Sequence, residues 1–325
     1  MLTRRLVLQA GAALAASGLI PPDARAAGRD LSGITLRIGT YRGMDQIILP
    51  GTGEDHTPYT TQFSEFTGGN LITQAMNADA VDIGNWSEIP LVFAAAARSN
   101  IRVVAVLEGP TANQAVLVPK GSSARSIADL KGKRVGYVRA TTAHYFLIKM
   151  LEQHGLSFDD IQPIALGISA GLTAMKSGAL DAWATYGYAI PMLEADTGAR
   201  VLQNAVGILS GNYLVGASPR DLEDPAFRDA MVDYIHRLGR AYRVLDADKP
   251  RWAKLVAPVV NVPEPIALAY LREEEKPFSL RSIRKSDIAS AQTVAETFAQ
   301  VKLLPAGLDV SGYFSDALSA QLPLS

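Results

Sequence analysis

Apolar positions along the chain follow two alternating rhythms. Short apolar runs at 34–39 (ITLRIG), 81–85 (VDIGN) and 102–107 (RVVAVL) predict strands, and 59–66 (YTTQFSEF) predicts another by alternating apolar and polar positions. Between them, 68–80 sets Leu71, Ile72, Ala75 and Met76 at helical spacing, and 88–100 (EIPLVFAAAARSN) also reads as a helix. The same grammar continues with a strand and turn at 115–122, a short helix leading into a strand across SIADLKGKRVGYV, and a helix over 143–154 stopped by Gly155. IQPIAL, a helix near 171–177, ALDAWATY and ARVLQN follow, and beyond about 222 the pattern is mainly helical. No internal repeat stands out in the sequence.

Strands that alternate with helices predict an α/β protein with largely parallel sheets. About 300 residues beyond the leader suit two lobes better than one. QAVLVP (114–119) and NYLVGAS (212–218) are the expected crossings. One lobe is therefore expected to comprise 27–113 with 218–325, and the other 114–217. Ligands of open α/β sheets sit at the carboxyl ends of strands and between lobes, so the residues just after each strand are the ones to inspect.

The first 26 residues change the setting. Arg4 and Arg5 precede an apolar run of about 15 residues, too short to span a bilayer, and Ala24-Arg25-Ala26 has a small-x-small cleavage pattern. Both a twin-arginine signal and a plain secretory signal fit, and either places a free protein in the periplasm after cleavage near Ala26/Ala27. The chain has no cysteine, which removes disulfides, thiolate metal sites and a cysteine nucleophile. Removing the leader with Arg4, Arg5, Arg25 and Asp23 takes 31 basic and 32 acidic residues to a net charge of −3. That balance gives no reason to expect nucleic acid or a membrane surface as partner.

Thr141 and Thr142 follow a strand and open a helix. Their hydroxyls can cap it, and its first N–H groups can hold a carboxylate, phosphate or sulfonate. Thr142 and His144, two apart at a helix start, do not face each other as nucleophile and base, and His144 is expected at a pocket edge or in packing. Asn85, Trp86 and Ser87 follow another strand, where they offer neutral hydrogen bonds and an apolar wall, while Glu88 reads as a first-turn helix charge. Trp183, Tyr186 and Tyr188 suit an apolar ligand tail, with core packing the competing role. Thr40, Tyr41 and Arg42 follow the first strand, and Arg42 is the best-placed cation, with Arg139 a further one. GEDH (53–56) reads as a solvated loop rather than a metal site. No metal or cofactor is expected.

Together, YTTQFSEF leading into LITQAMNADAVDIG, VLVPKGSSARSIADLKGKRVGY, TTAHYFLIKMLEQHGLSFDDIQPI, GALDAWATYGY and QTVAETFAQVKLLPAGLDVSGYF resemble the periplasmic solute-binding proteins of ATP-driven importers for alkanesulfonates, taurine and nitrate. The resemblance spans the mature chain. It implies a two-lobed periplasmic binding protein of type II, not an enzyme, that closes on a small organic anion and docks as a monomer on an inner-membrane ABC permease. It also implies that Thr141, Thr142, Ala143 and His144 form the sulfonate segment, where relatives carry Ser-Ser-Ala-His, and that Asn85, Trp86 and Ser87 lie in the cleft. Asn212, at the second crossing, joins the expected ligand-binding set. Two departures stand out: Tyr186-Gly187-Tyr188 replaces Trp-Asp-Pro, and MDQIILPGTGEDHTP is short and Gly/Pro-interrupted where relatives carry a helix. Sulfinate desulfinases and pyrimidine-precursor synthases resemble the same scaffold, but their cysteine-dependent signatures are absent. A sensor subunit is the remaining alternative.

Overall fold

The computed structural model describes residues 29–322, so the predicted leader and its cleavage site lie outside the described residues. The chain begins with β1 (Thr35–Tyr41), α1 (Asp45–Thr52), β2 (Thr60–Phe66), α2 (Gly69–Asn77), β3 (Ile83–Ser87), α3 (Glu88–Ala96) and β4 (Arg102–Glu108). It crosses into β5 (Gln114–Val118), β6 (Arg134–Tyr137), α4 (Thr142–Gln153), β7 (Gln162–Ala165), α5 (Ile168–Lys176), β8 (Ala182–Tyr186), α6 (Ala189–Thr197) and β9 (Arg200–Asn204). It then continues through β10 (Asn212–Ala217), α7 (Pro219–Glu223), α8 (Pro225–Ala247), α9 (Lys249–Val260), α10 (Glu264–Arg272), β11 (Ser279–Arg281) and α11 (Lys285–Gln300).

The strands form two sheets, ordered β11-β4-β10-β3-β1-β2 and β7-β6-β8-β5-β9. Around β1 and around β6 the pairing is parallel, whereas β10 and β5 run against their neighbours. Each sheet is covered on both faces. In the first lobe α1, α8 and α9 pack on one side, and α2, α3 and α11 on the other. In the second, α4 covers one face and α5 with α6 the other. Strands buried on both faces read as continuous apolar runs, which is why RVVAVL and AVLV were legible as strands.

Two expectations need correction. Residues 212–217 were assigned to the second lobe, but β10 lies in the middle of the first sheet, paired with β3 and β4, and the return crossing is 205–211. Periodicity identifies the strand and says nothing about which sheet receives it. The interrupted segment after β1 forms helix α1 with Pro50 inside it, ended by Gly53 at φ 79°. Burial of Ile48 and Leu49 outweighs the local breakers.

The lobes also share a device that sequence comparison within the chain did not reveal. The Asp82 carboxylate accepts the Arg37 backbone N–H at 2.7 Å and pairs with its guanidinium, tying the start of β1 to the residue before β3. The Asp181 carboxylate does the same for Arg134, at 2.9 Å from its N–H, tying β6 to the residue before β8. The first sheet thus runs β2-β1-β3-β10 where the second runs β7-β6-β8-β5, the same order built twice.

Tryptophan placement is set by glycines. Trp86 and Trp183 are fully buried in their lobes, and neither borders the cleft as expected. The Trp86 ring occupies the space where a side chain on Gly216 would begin, only 1.9 Å from an ideal Cβ. The Trp183 ring does the same over Gly171, at 2.3 Å. Gly216→Ala is therefore expected to push the indole off its seat and destabilise the fold by about 1–3 kcal/mol, read as a lower urea midpoint at unchanged slope.

Candidate functional site

The carboxyl ends of β1 and β3 in one lobe face those of β6 and β8 in the other across the two crossing segments. Gly109 N–H bonds Gly211 O at 2.9 Å, so the crossings run side by side. Gly211 sits at φ 81° with Gly109 O 2.6 Å from where a Cβ would be, and only glycine fits both demands.

Beside this hinge is a cavity of about 10 Å³, room for one water, lined by Ser87 and Glu88 at the start of α3, Gln114 at the start of β5, and Thr142 at the start of α4. Ile89 and Leu209 to Tyr213 complete the wall. A larger depression of about 300 Å³ around Ser122, Asp129, Lys133 and Asp181 lies at the opposite edge of the second sheet, where β6 and β8 begin. Strand carboxyl ends favour the smaller cavity as the site.

Two helix N-termini converge on it. Thr141 occupies the N-cap of α4 in extended geometry, yet its hydroxyl donates to Val138 O at 2.7 Å instead of capping the helix, as had been expected. The N–H groups of Thr142 and Ala143 consequently have no acceptor among the described residues. The Thr142 hydroxyl and that of Ser87, the N-cap of α3, are likewise uncommitted among the described residues and border the cavity. Uncapped N–H groups and uncommitted hydroxyls at helix starts form an anion-binding surface without formal charge.

Glu88, read from sequence as a helix charge, is buried against the same cavity. It accepts from Ser210 Oγ at 2.7 Å and from Asn212 Nδ2 at 3.1 Å, and burial pushes its carboxyl above the usual range. Asn212 also donates to Asp287 at 3.4 Å and accepts from Arg281 at 3.3 Å, while Arg281 and Asp287 form a buried ion pair at 2.7 Å. Gln114, Ser210 and Tyr213 were also missed. They flank the crossings that the sequence marked, so polar residues at strand starts beside a crossing were the available signal.

Tyrosines take part in the contact between the lobes. Tyr188 packs on Tyr270 of the opposite lobe with ring centroids 4.6 Å apart. Tyr41 donates to Asn85 O at 3.0 Å, and its hydroxyl is pushed up in pKa by burial and by Tyr186 and Tyr213. Tyr186 interacts with Thr141, and burial raises its hydroxyl to about 12. Thr40 is buried beside Gln46 at 3.4 Å, and Asn85 is buried in β3; neither borders the cavity. Arg42 is exposed and outside the cavity lining, because the chain turns into α1 immediately after it. Of the two roles offered for His144, pocket edge or packing, the ring contacts fit packing: it lies among Tyr137, Phe158 and Phe298 at centroid distances of 4.6, 5.3 and 5.1 Å, and it is not part of the cavity lining. In the GEDH loop, Glu54 is taken up by Arg240 at 2.7 Å.

Two α/β lobes joined by paired crossings, with helix N-termini meeting at the hinge, define a two-lobed solute-binding fold. The chain belongs to the NMT1/THI5-like family, whose profile matches residues 62–230. It is 27% identical over 304 residues to the putative aliphatic sulfonates-binding protein of Escherichia coli K12, covering 91% of this chain and 93% of that protein. The taurine-binding periplasmic protein of the same organism is 29% identical over 137 residues, 42% of each chain. The structure of the alkanesulfonate-binding protein SsuA from Xanthomonas axonopodis pv. citri, bound to MOPS, superposes with a TM-score of 0.79 at 28% identity, over 86% of this chain and 98% of that one. These findings bear out the resemblance read from the sequence. Among the described residues no helix is long and apolar enough to cross a membrane.

Two buried groups give stability opposite pH slopes. Burial pushes the Asp45 carboxyl from 3.8 up to about 6, although Tyr234 donates to it. Its ionised form therefore costs stability above about pH 6, a cost that fades as pH falls toward 4. Burial holds the His144 ring down to about 4 from 6.5, so the stability it contributes above pH 6.5 is lost on acidification through that window. Each amounts to about 3 kcal/mol, and in the native chain they largely cancel. Urea titrations between pH 7 and 4 should find Asp45→Asn losing stability more steeply than the native chain, and His144→Gln losing it less.

Proposed function

We propose that this chain is the solute-binding component of an ATP-driven importer and captures a small organic anion, a sulfonate foremost, by closure of its lobes. The observation that carries the reading is the pair of uncapped helix starts, with the free hydroxyls of Thr142 and Ser87, at one cavity beside the hinge. The N–H groups of Thr142 and Ala143 would hold the anion, with Thr142 and Ser87 hydroxyls donating beside them. Tyr41, Tyr186 and Tyr188 would close over its tail. Names borne by the matched relatives, aliphatic sulfonates-binding and taurine-binding, support the ligand class, and their roles in periplasmic binding support delivery to an inner-membrane permease.

The cavity holds about one water with the lobes together, so ligand entry requires them to part. Ligand bound between the lobes then favours the closed state by its differential affinity for it, and closure presents the surface that a permease reads. The site is suited to holding rather than transforming. Thr141 spends its proton on Val138 O, His144 is enclosed by aromatic rings, and the Glu88 carboxylate has both oxygens engaged by Ser210 and Asn212.

A thermal-shift screen against alkanesulfonates, taurine, sulfate, nitrate and carboxylates tests the reading. A sulfonate at about 100 times its dissociation constant should add about 2.7 kcal/mol of stability. Thr142→Val should weaken sulfonate binding by about ten-fold or more at nearly unchanged stability, because a hydrogen bond to a charged group is lost. Thr141→Val should instead lower stability by about 1 kcal/mol through the Val138 carbonyl. A screen that is flat for every sulfonate overturns the ligand class.

A further inference from the structure

The anion-holding side of the cavity accounts for its donors and leaves its acceptors unused. Gln114 lines the same cavity and is only 4% exposed, and its Oε1 has no hydrogen-bond partner among the described residues. The orientation of that amide follows from its neighbours. Tyr213 donates its hydroxyl proton to Pro110 O at 3.3 Å. It can then meet Gln114 only as an acceptor, and Gln114 Nε2 duly donates to it at 3.4 Å. The carbonyl oxygen is left unpaired in a buried position. From the other lobe, Glu88 lines the same cavity, with both carboxylate oxygens fixed by Ser210 and Asn212.

A simple alkanesulfonate cannot satisfy these acceptors, because its head offers acceptors alone and its tail offers nothing. A buried acceptor without a partner costs free energy, and that cost is removed only by a ligand that brings a proton to it. From the unpaired Gln114 oxygen and the adjacent carboxylate at one cavity, we infer that Gln114 is a specificity-determining residue that selects organic anions bearing an N–H or O–H donor, with Glu88 favouring a positively charged one. This rests on the sulfonate reading above and narrows it to amino- or hydroxy-substituted sulfonates. A site built to bond a ligand N–H or O–H discriminates strongly against the isostere that lacks it.

Propanesulfonate, 2-hydroxyethanesulfonate and 2-aminoethanesulfonate have the same number of heavy atoms and differ only at the terminal group. Calorimetric titration of the exported protein should find both substituted sulfonates binding at least about ten-fold tighter than propanesulfonate. Gln114→Leu should bring the three affinities to within about three-fold of one another. Glu88→Gln should weaken the amino compound more than the hydroxy compound. Gln114→Glu keeps an acceptor in place and should preserve the preference and widen it for the amino compound; it carries the test if the leucine variant fails to fold. Equal affinities in the native protein, or a Gln114→Leu variant that weakens all three equally, overturns the inference while leaving sulfonate binding intact. No binding by any of the three overturns the sulfonate reading, and this inference with it.

Discussion

The side-chain amide of Asn212 is the contact on which the arrangement of the cleft depends. It stands at the first residue after the return crossing and reaches Glu88, Asp287 and Arg281 at once. Through Glu88 it fixes the start of α3 and one wall of the cavity; through the Arg281–Asp287 pair it fixes β11 and the start of α11. A buried ion pair is tolerated only when its remaining hydrogen-bonding capacity is met, and Asn212, Glu108 and the Arg284 N–H help meet it here. The return crossing, the starts of α3 and α11 and the β11 edge of the sheet are therefore positioned by one connected polar network and not by separate contacts.

That network also explains how a cleft with buried carboxylates can receive an anion. The cation beside it, Arg281, is committed to Asp287 and Glu108, so in the proposed reading the attraction for a ligand would come from backbone N–H groups and hydroxyls. Such groups gain strength as the lobes exclude water, since a dipole aimed at a charge is screened less in a dry cavity. The tyrosine layer supplies the exclusion. Tyr188 packs its ring on Tyr270 across the lobes, and Tyr41 lies close enough to Tyr186 to feel its hydroxyl, with burial keeping these hydroxyls protonated.

Much of this was legible in the sequence, for identifiable reasons. Strands buried on both faces and a helix stopped at Gly155 leave strong local patterns, and Thr142 and Ser87 follow strands where ligands collect. Trp86 and Trp183 were ambiguous because a tryptophan after or within a strand looks the same whether it faces a cleft or a glycine on a neighbouring element. Gly216 and Gly171 decide the matter, and they are distant in sequence. The choice between pocket edge and packing for His144 was open for a similar reason: Phe298, which packs on it, arrives from the far end of the chain. Gln114 and Glu88 gain meaning only from Tyr213 and Ser210, contacts made when the crossings come together.

The position of β10 has a consequence for how the molecule is assembled. The second lobe is contiguous in sequence, and its strands from Gln114 to Asn204 can pair as soon as they are made. The first sheet is different: β3 and β4 are neighbours in sequence but are held apart by β10, so its two halves have no common edge until residues 212–217 arrive between them. Its early strands must wait, with apolar faces uncovered, while an entire lobe is synthesised. The interval is longer still for α11, which closes one face of that sheet from the last part of the chain. A molecule whose first-made half is finished last cannot complete that half until residues 212–217 and α11 have been added.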